Sequence, residues 1–376
     1  MPRLSKNRFF YTSFVFFTGH FIDFFLSICY TMPMFEKNID AYLLLEPSNR
    51  RYFLGIDTSF GCLVLAKTGK VFITDSRYSA YAEEALGDTC EVMTATGENF
   101  YKQIAVVVNR FGAVKVGFDE NNLTVSKYDA FKKALKGVSL FKCGADLTTK
   151  RAVKTQSEID NIIEAQRIAE KALKKVEGMI KAGITERELC AELVFACLAG
   201  GAERMSFEPI VAFGANSAHP HHRPGDKRLE KGEAVLIDFG CVRNGYCSDM
   251  TRTFCVGEPN HDIKRIYEIV KTALEYTLKH IKAGMTAHEV DSLAREYIRS
   301  NGYENEFGHS LGHGVGLDIH ETPRIGVGSQ TMLEEGMVVT IEPGIYLNGI
   351  GGVRLEDIVI VERDGGRVIT EYQKDL

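Results

Sequence analysis

The 376-residue chain predicts an α+β fold in two domains. Three observations carry that expectation. The length exceeds one typical domain and suits two. Short β-like runs alternate with helical spacing over residues 40–147, while the rest turns β-rich and Gly-rich, broken by long helices. A polar stretch, GADLTTKRAVKTQSE at 144–158, separates the two apolar-rich regions. The expected division is a leader at 1–34, a smaller α/β domain at 35–148 and a larger domain at 149–376.

In the smaller domain, AYLLLEP, GCLVLAK and KVFITD read as strands, and SRYSAYAEEAL and ENFYKQIAVVVNRF have helical spacing. Lys67-Thr68-Gly69-Lys70 reads as a hairpin turn between two of the strands. The larger domain opens with a long helix that Thr155 or Ser157 can cap. Its apolar face is Ile159, Ile162, Ile163, Ala165, Ile168 and Ala169. A second helix, TERELCAELVFACLAG, has Thr185 and Glu188 at capping-box spacing. Further helices are expected at roughly 260–282 and 286–301, with boundaries good to ~2–4 residues.

Composition narrows the function classes. Hydrophobic residues make up 45% and charged residues 25%, which is ordinary for a globular protein. The net charge is −5 and the pI about 6.1, with no basic block, which argues against nucleic acid as a partner. Nine cysteines, an odd number with no C-x-x-C pair, read as reduced thiols of a cytoplasmic protein. The Phe-rich leader, RFFYTSFVFFTGHFIDFFLSICYTMPMF, has two readings: a signal or membrane anchor, or a mis-called start ahead of Met32 or Met34. The second is favoured. His20 and Asp23 split the apolar run, and a central Asp costs ~2.5–3.5 kcal/mol on insertion scales. No small-residue cleavage site precedes Met32.

The chemistry begins at LIDFGCVRNGYCSDMTRT, Leu236 to Thr253. Two acids, Asp238 and Asp249, stand in apolar strand-like runs, where Asp is depleted and a buried carboxylate is costly unless paired or metal-bound. Asn244-Gly245 is a strong two-residue hairpin signal. With that turn, residue 238 faces 251 and residue 249 faces 240. The two acids become diagonal neighbours on one sheet face, roughly 7–8 Å apart at the backbone. A bare carboxylate pair would repel, and one pKa would rise. A solvated strand face is the plainer alternative, but AVLID and TFCV make these strands look buried.

A second hairpin repeats the device. GMVVTIEPGIY holds Glu342, GGVRLEDIVIV holds Glu356, and a turn centred on Gly349 sets them face to face. The run EFGHSLGHGVGLDIHE adds His309, His313 and His320. The first two are four apart, as on a zinc-protease helix, but Ser310 stands where that motif needs Glu, and four glycines oppose a helix. Glycines here let a backbone approach a site closely. For a lone His a satisfied core residue is the better reading; three within twelve positions shift the balance. Four carboxylates and one imidazole suit two divalent cations, and oxygen-rich ligation favours Mn²⁺, with Co²⁺, Fe²⁺ or Zn²⁺ as alternatives. Two ions roughly 3.5–4 Å apart activate water near neutral pH and polarise a carbonyl, which is hydrolytic chemistry.

In order, type and surrounding text, Asp238, Asp249, His313, Glu342 and Glu356 resemble the five metal ligands of the pita-bread metallopeptidases, the methionine aminopeptidase/creatinase-like family. SNRRYFLGI and TDSRY upstream resemble the creatinase-type N-terminal domain. That domain points to the Xaa-Pro aminopeptidase and Xaa-Pro dipeptidase (prolidase) branch. The resemblance implies a pita-bread catalytic domain at 149–376 behind a creatinase-like domain at 35–148, two divalent metal ions, proline-containing peptides as substrates and a homodimer. It further implies His221 in NSAHPHHRPGD as a catalytic histidine, with His219 and His222 as neighbours that blur the assignment, and His320 as the second. Glu342 would also relay a proton. His309, Arg354, Tyr346 and Thr251 would line the pocket or support the ligands. The expected activity is removal of the N-terminal residue from Xaa-Pro peptides. Rivals are a dipeptidase, a metal-free creatine amidinohydrolase, which five intact ligands oppose, and a non-catalytic binding protein on the same fold. One departure from the family pattern is the Phe-rich leader, which stands where an opening polar helix is usual.

Overall fold

The computed structural model describes residues 38–376, so the expectations for the leader at 1–34 lie outside the described residues. Among the described residues no helix is long and apolar enough to cross a membrane. The chain divides into two compact units after Gly144.

The first unit is built on one six-stranded mixed sheet. Its elements are β1 (Ala41–Leu44), α1 (Pro47–Leu54), β2 (Cys62–Ala66), β3 (Gly69–Thr74), α2 (Ser79–Leu86), β4 (Glu91–Thr94), α3 (Phe100–Arg110), β5 (Lys115–Phe118), α4 (Val125–Ala134) and β6 (Ser139–Lys142). The strand order is β4-β3-β2-β1-β5-β6. The expected hairpin forms with Ala66 opposite Gly69. On α3, Ile104, Val107 and Val108 recur at helical spacing and are fully buried beside Val64, Ile73 and Val116 of the sheet. Burying side chains of this size contributes ~1.5–3 kcal/mol each. Arg50 of α1 is buried too, and its guanidinium donates to the carbonyls of Leu45, Thr58 and Gly61, so three otherwise unpaired backbone groups are satisfied.

The second unit carries α5 (Gly144–Ala152), α6 (Gln156–Val176), α7 (Glu186–Ala199), β7 (Arg204–Met205), β8 (Ile210–Phe213), β9 (Ala234–Phe239), β10 (Cys241–Arg243), β11 (Tyr246–Cys247), β12 (Met250–Cys255), α8 (His261–His280), α9 (Ala287–Ser300), β13 (Gly312–Gly314), β14 (Glu321–Ile325), β15 (Val338–Ile341), β16 (Gly344–Leu347), β17 (Gly351–Arg354), β18 (Asp357–Val361) and β19 (Gly366–Val368). In the polar stretch at 144–158, α5 occupies the first part. Thr155 then starts α6, and both Thr155 and Thr185 close capping boxes with the Glu three residues on. Helices α6 and α7 pack with β8 and β9 over one core; α8 and α9 pack with β15, β17 and β18 over another.

Both acid-bearing hairpins take the expected register. Asn244 and Gly245 both have positive φ, 49° and 76°, as a two-residue turn matched to strand twist requires. Asp238 then pairs with Thr251, and β9 is flanked by β8 and β12. In the second hairpin Ile341 faces Asp357 and Gly344 faces Arg354, so Glu342 stands opposite Glu356. Regular pairing lapses at Gly240, Ser248 and Asp249 in one hairpin, and at Glu342-Pro343 and Leu355-Glu356 in the other. Three of the four acids stand in these breaks. Gly240 permits the first: a Cβ there would lie 1.8 Å from the Ser248 carbonyl oxygen. The hairpins are stitched to each other by Glu356 N–H donating to Thr251 O (3.1 Å) and Thr253 Oγ1 donating to Arg354 O (2.9 Å).

Candidate metal centre

That stitching brings the acids of the two hairpins together. Ligand atoms of Asp249, His313 and Glu356 lie within 4.8 Å of one another, which is coordination spacing for one cation. His313 Nε2 is 3.6 Å from Asp249 Oδ2 and 3.4 Å from Glu342 Oε1. Residues 308–316 are not helical; His313 sits on β13, as the glycines indicated. Gly312 lets β15 close in, since a Cβ there would lie 1.9 Å from Thr340 O. His313 Nδ1 is 3.0 Å from the Gly314 carbonyl, so Nδ1 carries the hydrogen and Nε2 presents a lone pair to the acids.

Asp238 stands to one side. Its Oδ2 is held by Arg354, whose Nη1 also donates to the Tyr346 hydroxyl at 2.7 Å. Tyr346 in turn meets His309 Nε2 at 2.9 Å. Thr251 Oγ1 donates to Glu356 Oε2 at 2.8 Å. His320 packs edge-on against His313, with ring centroids 4.4 Å apart. His221 is exposed; burial lowers both His309 and His320, with Arg354 adding to the first and proximity to His221 to both. Of its neighbours, His222 is bound at 2.8 Å to the buried carboxylate of Glu186. His219 is exposed on the surface. Asp249, His313, Glu342 and Glu356 are thus brought together, Asp238, Arg354, Tyr346 and His309 form a hydrogen-bonded chain beside them, and His222 is held by Glu186.

The electrostatics of this cluster favour bound positive charge. Burial first, then repulsion from Glu356, Asp238 and Glu342, pushes Asp249 well above the ordinary carboxylate range. Burial, with Glu342 and Asp238, does the same to Glu356. Burial, opposed by Arg354 and aided by Asp238, raises Glu342 to about 8. Burial and then His320 lower His313 to about 4, which keeps its imidazole neutral at pH 7. Among the described residues, Asp238 Oδ1, Asp249 Oδ1 and Glu356 Oε1 are buried without a hydrogen-bond partner. Such orphaned oxygens are costly unless something positive meets them. The donor set, four carboxylates and one neutral imidazole, fits two divalent ions.

Two supports escaped the sequence reading. Thr340 receives His313 N–H at 3.1 Å and meets Glu342 Oε1 at 3.4 Å. Its place two before Glu342 in the run VVTIEP, a same-face spacing in extended chain, was the available signal. Buried Arg252 donates to the Glu356 and Thr251 carbonyls at 2.6 and 2.9 Å and pairs with Asp357 at 2.8 Å. Its partners are too distant in sequence to have been legible.

Residues 160–363 match the sequence profile of metallopeptidase family M24, and residues 33–153 match the creatinase/prolidase N-terminal domain. An Xaa-Pro dipeptidase of Pyrococcus furiosus is 37% identical over 345 residues, covering 91% of this chain and 97% of that one. The solved Xaa-Pro dipeptidase of Bacillus anthracis is 42% identical with a TM-score of 0.87, covering 91% and 95%. An X-Pro aminopeptidase from Thermotoga maritima is 36% identical with a TM-score of 0.84, covering 90% and 97%. The chain is a metallo-exopeptidase of family M24, on the branch that carries the creatinase/prolidase N-terminal domain.

Proposed function

We propose that this protein hydrolyses the bond preceding proline in short Xaa-Pro peptides, with Asp238, Asp249, His313, Glu342 and Glu356 holding two divalent metal ions, Mn²⁺ first among them. The observation that carries the site is the buried cluster of mutually repelling carboxylates around a neutral imidazole, with three oxygens left unpartnered among the described residues. The likeness to Xaa-Pro dipeptidases supports the substrate class. Ions bound there supply Lewis-acid polarisation of the scissile carbonyl and acidify the attacking water. The chain's own groups do the rest. His320 and His221 donate hydrogen bonds to the oxygen that gains charge. Glu342 accepts the proton of the attacking water and returns it to the leaving proline nitrogen. Arg354 grips Asp238 through an ion pair, and the Tyr346 hydroxyl orients His309 toward the substrate side. An X-Pro bond has no N–H and a ring-fixed φ, so a peptidase that reads neither is needed. The protein acts as a homodimer in the cytoplasm.

Relatives named as dipeptidases weigh toward a prolidase, which takes the dipeptide alone. The aminopeptidase reading stands second, favoured by the likeness to the Thermotoga enzyme. Purified, Mn²⁺-loaded protein is offered Ala-Pro and Ala-Pro-Ala side by side, with and without chelator. Cleavage of the dipeptide only marks a prolidase. Release of the first residue from the tripeptide marks an aminopeptidase. Absence of chelator-sensitive cleavage of either overturns the substrate class.

A further inference from the structure

Behind His320 lies a buried ionic cluster that the metal site does not use. Arg151, in the last turn of α5, donates through Nη2 to Asp318 Oδ2 at 2.6 Å and to Glu321 Oε1. Lys154 Nζ is 3.2 Å from Glu321 Oε2. The side chains of Lys154 and Glu321 are only 1% and 4% exposed. Burial pushes the Glu321 carboxyl up, but Lys154 and Arg151 outweigh it and hold it below its ordinary value.

The loop around this cluster is short. Gly314 pairs with Glu321, and a register shift separates that pair from His313 opposite Arg324. Residues 315–320 close the gap, and His320 is their last member. Glu321 fills the inside of the turn: its Oε1 accepts the Asp318 N–H at 3.0 Å, and a Cβ on Gly316 would lie 2.7 Å from its Oε2. The segment bearing Lys154 is itself fixed, by Lys154 N–H to Gly336 O at 2.9 Å and a bridge between Val153 and Met337. Irregularities of this kind re-aim a neighbouring side chain.

We propose that Arg151, Lys154 and Glu321 form a positioning device that sets the 315–320 loop so that His320 meets His313 edge-on. The inference rests on the proposed role of His320 at the substrate. A crystal structure of Mn²⁺-loaded Glu321→Gln tests it without reference to activity. The expected result is a displaced 315–320 loop and a ring separation wider than 4.4 Å, with Asp249, His313 and Glu356 unmoved. A loop that stays in place overturns the proposal. Kinetics adds a double-mutant cycle on whichever peptide the wild type cleaves. E321Q lowers kcat by about ten- to a hundredfold, as misplacement of a catalytic group does, with KM and bound metal unchanged. In the H320A background the same change adds little, because its effect passes through His320. Equal losses in both backgrounds, or loss of metal in E321Q, refute the device. Should E321Q fail to fold, Lys154→Met is read the same way. A fully active H320A sinks the role of His320 itself while leaving the substrate class intact.

Discussion

Thr251→Val isolates one hydrogen bond of the site. Thr251 is fully buried, faces Asp238 across the hairpin, and donates through Oγ1 to Glu356 Oε2 at 2.8 Å. Arg354 Nε donates to Thr251 Oγ1 at 3.3 Å. Valine keeps the shape and removes the hydroxyl. Glu356 Oε1 is already without a partner among the described residues, so the variant leaves both carboxylate oxygens short. A hydrogen bond to a charged group is worth roughly 1.5–3 kcal/mol. At about 1.4 kcal/mol per decade that is a ~10- to 150-fold loss in affinity for the ion Glu356 holds, which overlaps the ~10- to 100-fold cost of losing a group that supports a ligand. Chelator-stripped wild type and variant are titrated with Mn²⁺, following bound metal and recovered turnover. The variant's half-saturation shifts up by at least about tenfold, and turnover at saturating Mn²⁺ recovers most of its value. Coincident titration curves refute the reasoning, since they would mean that Thr251 does not act through Glu356.

The metal-free protein has an unusual pH dependence. Glu342 is raised to about 8, so the folded state holds its proton more tightly than the unfolded chain; that contribution is full below the ordinary carboxylate range and lost as pH rises toward 8. His313 is lowered to about 4, so its contribution is present above the ordinary histidine value and lost as pH falls through 4. The two oppose each other in mildly acidic solution, and above it only carboxylate losses remain, Glu342 together with Asp249 and Glu356, which burial also raises. The Tm of chelator-treated protein therefore falls between about pH 6.5 and 8, and saturating Mn²⁺ removes that fall; a Tm that rises over this interval without metal contradicts it. Asp249→Asn binds one ion instead of two and loses most chelator-sensitive turnover; wild-type turnover in that variant sinks the site. Arg252→Met strips the guanidinium from Asp357, which keeps only Lys374 at 2.7 Å, so unfolding costs about 3 kcal/mol less and thermal scanning records a midpoint lower by more than about 6 °C.

The fold and the pairing of the acids were legible where the information is local. Asn244-Gly245 fixes one hairpin and Gly349 the other, and each register then dictates which acids share a face. Thr155 and Thr185 announce their helices by side chains that satisfy exposed N–H groups. What stayed hidden is tertiary. Arg252 meets Asp357 across 105 residues, and Arg151 meets Glu321 across 170, with no periodicity linking the partners. The three histidines at 219–222 are alike in sequence; only the contact of His222 with Glu186 separates it from His221. Residues 144–158 read as a polar boundary, yet Arg151 is buried against acids the linear text gives no reason to pair with it.

The proposed preference for Mn²⁺ gains support from one more placement. Cys247 lies two residues from Asp249, near enough in sequence to offer a thiolate. It turns away: its Sγ faces the Leu317 carbonyl at 3.8 Å, and burial pushes the thiol up to about 12. The donor set therefore stays oxygen-rich with one imidazole. Thiolate ligands select soft ions, whereas carboxylate-rich sites suit Mn²⁺ and comparable hard cations. General affinity orders place Mn²⁺ low, so the proposed use of Mn²⁺ rests on this donor chemistry and on metal supply. Chelator-stripped protein is expected to regain turnover with Mn²⁺. Titrated instead with Cd²⁺, a thiophilic ion, it shows no thiolate-to-metal absorption in the ultraviolet. Appearance of that absorption, abolished in Cys247→Ser, would place sulfur in the coordination sphere and defeat the argument for a hard-cation site.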